Sequence, residues 1–292
     1  MTTVGQLVDT TIRQHLEMGG PTQLNRLQTG INASVEDLVL DWEPEVGLAP
    51  GTYIEIGSEA LLVVQSQGIY VSVLRAQWGT TADTHSALDM IRIKPRFLRS
   101  QVLTEIVDEI STWPPTLFGV TTADVDWATG DYDHDLTGAT GKAVTRLLAV
   151  ELEPNTAEPW GDLRTSYSIH PADTGAYPSG WRLHTLRPSG PEDVRVTYAH
   201  EFNLTALATE ATDLQSGCGL SATMNDIARF GAAGRLMLSQ EAERARLDMQ
   251  GTTRFAEEVP PQHQVTAAQA LLEMRDRRLM QEEERLVSRW GV

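Results

Sequence analysis

The sequence predicts an α+β protein: a helical bundle with a small antiparallel β-module, an inserted β-sandwich and a C-terminal helical arm. Three observations predict it. Apolar residues alternate at strand spacing in two separate regions, they recur at three and four residue steps in the segments between, and glycine and proline mark each change of texture. At 292 residues the chain is long for a single core, so several cooperating modules are expected.

Residues 1–50 read as an N-terminal helix and arm, because Val4, Leu7, Val8, Ile12 and Leu16 form a narrow stripe that Gly19, Gly20 and Pro21 end. Residues 51–95 read as the small β-module, with strand-like runs TYIEIG, ALLVVQ, YVSVLR and MIRI punctuated by Gly57, Gly68 and Gly79. Pro95 opens a bundle helix within 96–118, where Leu98, Val102, Leu103, Ile106, Val107 and Ile110 share a face until Trp113-Pro114-Pro115 stops it. Residues 119–203 hold the runs RLLAVEL, WRLHTL and VRVTYAHEF between turn-forming clusters, the pattern of the inserted sandwich.

Helical spacing resumes over 204–258. Thr223 and Asp226 have the spacing of a capping box, and the small residues Ala228, Gly231, Ala232 and Gly234 suit close approach of another helix. Residues 259–292 form the arm, entered after Pro260-Pro261 with Thr266 and Gln269 as a second capping box. Along it Leu272, Leu279 and Leu286 sit seven apart in a thin apolar seam ending near Trp290, on an otherwise charged helix. A seam of that width is expected to dock on another subunit.

Composition narrows the function. Hydrophobic residues make up 41% and mean hydropathy is -0.25, which suits a folded soluble chain with no membrane span or signal peptide. One cysteine, Cys218, leaves no intrachain disulfide and no thiolate zinc site. The formal net charge of -17 argues against gripping a phosphate backbone.

Chemistry-bearing motifs are missing: there is no phosphate loop, dinucleotide fingerprint, nucleophile elbow or H-E-x-x-H helix, so no catalytic residue, metal ligand or cofactor is assigned. Seven histidines are scattered without metal-ligand spacing. Asp131, Asp133 and Asp135 begin like a calcium loop, but Leu136 stands at the turn glycine and Lys142 at the bidentate glutamate, which rules out an EF-hand.

One stretch suggests a family. Residues 70–95, YVSVLRAQWGTTADTHSALDMIRIKP, run from a strand ending in Arg75 through Gly79, Thr80, Thr81 and His85 to a second strand. This resembles a segment of neck and tail structural proteins of long-tailed actinobacterial bacteriophages, with Ala76 and Leu88 standing where the family carries glycine. Arg75, Gly79, Thr80 and His85 are expected to build a structural loop through a positive φ, hydroxyl bonds and side-chain bonds to carbonyls.

The order of parts is similar to head-to-tail connector (adaptor) proteins. What that resemblance implies is a non-enzymatic virion component assembled in the host cytoplasm, a homo-oligomeric ring generally of twelve copies. Portal protein would lie on one side and a stopper or tail-completion protein on the other, with DNA passing through unread. Leu272, Leu279, Leu286 and Trp290 would then meet the portal or a neighbouring subunit. Two rivals are a tail or baseplate component whose sandwich binds glycan through aromatics such as Tyr132 and Trp181, and a hydrolytic enzyme using some of the carboxylates.

Overall fold

The structure is a computed structural model that describes residues 2–17, 23–44, 48–125, 132–135, 144–153, 161–162, 167–177, 180–185, 193–249 and 261–290. The fold is α+β with antiparallel sheets. In chain order, α1 is Val4–Thr11, continued by a π turn over Ile12–Leu16, and α2 is Arg99–Ser111. The short α3 is Leu204–Leu207, α4 is Asn225–Met249 and α5 is Pro261–Trp290. None of the described helices is long and apolar enough to cross a membrane.

The chain divides into two compact units, one of 4–109 with 226–276 and the other of 1–3, 110–225 and 277–292. In the first, strands β1 (Gln23–Arg26), β2 (Asp37–Val39), β3 (Tyr53–Ile56), β4 (Glu59–Gln67), β5 (Tyr70–Leu74) and β6 (Met90–Ile93) form one curled half-barrel sheet, in the order β1-β6-β3-β4-β5-β2. The four runs read from the sequence are β3 to β6. The sheet also recruits β1 and β2 from ahead of Gly51, strands too short for periodicity to reveal.

Alternation sets the inner face. Leu27, Leu38, Leu40, Ile54, Ile56, Leu61, Val63, Val71, Val73, Ile91 and Ile93 all turn inward and are buried in one cluster. The outer strands meet at one end, where the Gln28 amide donates to the Val39 carbonyl at 2.8 Å and the Asp41 amide to that of Arg26 at 2.9 Å.

Three helices of this unit converge on a buried charge. Glu109 of α2 has no exposed side-chain surface and receives Arg235 of α4 and Arg275 of α5, each at 2.7 Å. The small residues of α4 make room for it: a Cβ on Gly231 would stand 2.3 Å from the Glu109 carboxyl carbon, and one on Gly234 would stand 2.9 Å from Leu272. The close helix approach expected from the sequence is thus made within the chain.

In the second unit, β7 (Gly119–Val125), β9 (Val144–Glu153), β10 (Gly161–Asp162) and β13 (Asp193–His200) form a sheet ordered β10-β9-β13-β7. Strands β8 (Asp133–Asp135), β11 (Tyr167–Pro171) and β12 (Trp181–Thr185) form a second, ordered β11-β12-β8. Val150, Val196 and Tyr198 from one sheet and Leu183 and Trp181 from the other share a single apolar cluster, the two-layer arrangement of a sandwich.

Three helix starts differ from the sequence reading: α2 begins at Arg99 and not directly after Pro95. Thr223 lies in a 3-10 turn ahead of α4 and its hydroxyl donates to Glu282 at 3.1 Å, so it does not form a capping box. Helix α5 begins at Pro261, ahead of Thr266, because proline supplies the right φ at a first helical position where no amide bond is needed.

Alanine usually stabilises a helix by up to about 1 kcal/mol over glycine. Gly231→Ala is expected to do the reverse here, costing about 1–3 kcal/mol, since Glu109 is pinned by two arginines and cannot yield freely. Urea denaturation of a double-mutant cycle with Glu109→Ala checks this: trimming Glu109 should remove most of the penalty.

Candidate functional site

The 75–89 segment, between β5 and β6, is organised by a residue that the sequence did not single out. Glu59 opens β4 and its side chain is fully buried. A buried carboxylate remains charged only if donors replace its lost water. Five do so. Arg75 grips it in a fork, Nε to Oε1 at 2.7 Å and Nη2 to Oε2 at 2.6 Å. The amides of Ala76 and Asp83 each donate at 3.2 Å, and His85 Nε2 donates at 2.8 Å.

Burial alone raises the pKa of Glu59, but the Arg75 and His85 hydrogen bonds and the two amides outweigh it and hold the group at about 2. The remaining Arg75 donors go to the carbonyls of Asn32, Val35 and Asp83, so all of its guanidinium N–H groups are used. His85 also exchanges backbone hydrogen bonds with Ile31 at 2.9 Å in both directions. The loop is therefore tied to the barrel at its root and at its return.

Between these ties lies a tight turn. The Thr80 hydroxyl donates to the Gln77 carbonyl at 2.7 Å and accepts from the Ala60 amide at 3.1 Å. Both central residues have positive φ, Trp78 at 51° and Gly79 at 77°. Glycine takes that conformation at no steric cost, whereas tryptophan does not. Ala76 (53°) and Leu88 (73°) adopt it too. Trp78 is exposed and meets Tyr53 edge-on at 5.3 Å, while Leu88 is 62% exposed.

Trp78 and Tyr53 form one wall of a groove of about 810 Å³ whose other walls are Phe97, Gln101, Leu236 and Gln240. Its polar groups are largely committed: Gln101 accepts the Leu98 amide, Gln240 accepts Arg96 Nε, and Glu105 pairs with Arg235. Burial raises the Glu105 pKa despite that arginine.

The seam residues of the arm are distributed between the two units. Leu272 lies against Gly234 in the first. Leu286 is 4% exposed in the second, Leu279 and Trp290 are half-buried, and Arg289 stacks on the Trp290 ring at 5.0 Å. Among the described residues, the large apolar side chains that α5 leaves in solvent are Met274, Met280 and Val287.

Among the described residues no three His, Cys, Asp or Glu side chains cluster as a metal site. Asp133 pairs with His184 at 2.7 Å, Tyr132 stacks on His184, and Trp181 packs on the sandwich core. Asp131, Leu136 and Lys142 lie outside the described residues. Cys218 is buried. The sequence matches no family model and no curated protein.

Because the folded pKa of Glu59 is about 2 against an ordinary value of 4.5, its ionised form stabilises the fold above pH 4.5, and that contribution is lost as pH falls towards 2. The shift corresponds to about 3 kcal/mol. Glu59→Gln should therefore be clearly less stable than the parent chain at pH 7, and the gap should close at pH 2. Chemical denaturation across that range checks it, and a gap independent of pH would contradict the assignment.

Proposed function

We propose that this chain is a virion structural protein, a head-to-tail adaptor that forms a ring between portal and stopper or tail, with a DNA passage at its centre. The observation that carries the reading is the outer surface of the half-barrel. In a sheet with one solvated face, outward positions are normally polar. Here Tyr53, Leu62 and Leu74 face outward in cross-strand register, with Val64 and Tyr70 beside them, on strands whose inward positions are already filled by the core. Apolar residues gathered on a solvated face, here interrupted by Ser72 and Gln65, suit a surface completed by another molecule.

The loop supports the same reading. Ala76 and Leu88 stand where the resembling phage segment carries glycine, and both adopt the positive φ that glycine favours. The Arg75, Thr80 and His85 side chains serve as loop ties. The acidic balance, -17, suits walls that let DNA slide past.

The test is assembly. Native mass spectrometry and negative-stain imaging of the purified chain, alone and with a portal protein, should show closed rings, and a monomer under every condition would overturn the reading. A second expectation concerns DNA: binding to duplex should be weak even at low salt, without the steep loss of affinity on adding salt that many phosphate contacts produce.

A further inference from the structure

Helices cover only the middle of the half-barrel's outer face. The Arg99 amide at the start of α2 donates to Glu55 on β3, and Glu17, just beyond the π turn, pairs with Arg92 on β6. A flank stays open on either side of that cover. On one, outward Leu62 and Leu74 pair across β4 and β5, Val64 follows two residues along, and Tyr70 at the start of β5 is 63% exposed. On the other, Leu24 of β1 and Met90 of β6 join Ile12 in lining a hollow of about 180 Å³, room for one aromatic side chain.

The charges at the rims of the two flanks differ in sign once the ion pairs are set aside. Exposed Glu36 and Asp37 border the first, where Asp37 lies opposite Ser72 in register and accepts its hydroxyl. At the second, Asp9 and Glu17 line the hollow but pair with Arg99 and Arg92, while exposed Arg13 also lines it and exposed Arg26 lies opposite Met90 in register. Two unlike patches on one chain, rimmed by acids on one and by Arg13 and Arg26 on the other, suit a contact between successive copies, which would be heterologous. Repeated through a rotation that closes, such a contact builds a ring.

We infer that the Tyr70 flank of one copy docks into the Leu24–Met90 hollow of the next, with Glu36 and Asp37 facing Arg13 and Arg26. The inference rests on the ring reading above and names the surfaces that would make the ring. Both flanks belong to the same compact unit, so each copy offers them at a fixed separation and angle.

The experiment uses the full chain and two exposed substitutions. Tyr70→Glu spoils the projecting flank and leaves the hollow intact, whereas Met90→Glu does the opposite. Each variant alone should lose higher oligomers, association weakening at least about tenfold as for a central aromatic anchor. Mixed one to one, they should give a two-chain species and nothing larger, because only one competent contact can form. In a second arm, Asp37→Arg or Arg13→Asp alone should weaken assembly and the two together in one chain should restore it, a rescue that misfolding cannot produce.

If the parent chain forms rings and both variants do as well, the docking assignment is overturned while the adaptor reading stands. Failure of the mixture to give the two-chain species also overturns the docking assignment. A parent chain that never associates removes both.

Discussion

Carboxylates buried from solvent govern this structure. Glu59 is the clearest case: inside the half-barrel wall it would be intolerable as a bare charge, and it is met by five donors drawn from Arg75, Ala76, Asp83 and His85. Those donors span the loop between β5 and β6. Satisfying one charge therefore fixes the path of a dozen residues, including turns that their own sequence would not choose.

The same device recurs where elements join. Glu55 projects from the outer face of β3 and accepts both Arg92 and the Arg99 amide at the start of α2, so a strand supplies the cap of a helix. Burial raises its pKa, opposed chiefly by Arg92. Glu109 draws α4 and α5 onto α2. Breaking a buried pair of this kind costs more than the pair contributes over an apolar replacement, so such contacts specify one arrangement more than they add stability.

The element types were legible because periodicity survives in β3 to β6, in α2 and in the sandwich strands. Short β1 and β2 were not, since three or four residues cannot establish a period. The small residues of α4 were readable as a close-packing surface, but while Gly234 meets Leu272, Gly231 proved to face a buried ionic group. Glu59 was hidden because a glutamate after Gly57-Ser58 looks like any turn acid, and only Arg75 and His85, 16 and 26 residues away, reveal its role. The arm seam was legible as a seam, yet its partner was not, for spacing cannot say whether Leu286 is covered by its own chain or another.

Exposure and strain coincide at the loop. Trp78 and Leu88 hold positive φ at a cost of order 1 kcal/mol each, which glycine would avoid, and they persist because the Glu59 network over-determines the backbone around them. With large apolar side chains thus held in water, unselective association becomes the hazard. The net charge of -17 counters it, since like-charged copies repel one another on close approach, over a range set by the screening length of about 8 Å. For the assembly proposed here, repulsion at range and matching at contact act in sequence. In that proposal, an approach that brings Arg13 and Arg26 to Glu36 and Asp37 exchanges repulsion for attraction, so charge would help to select the docking geometry.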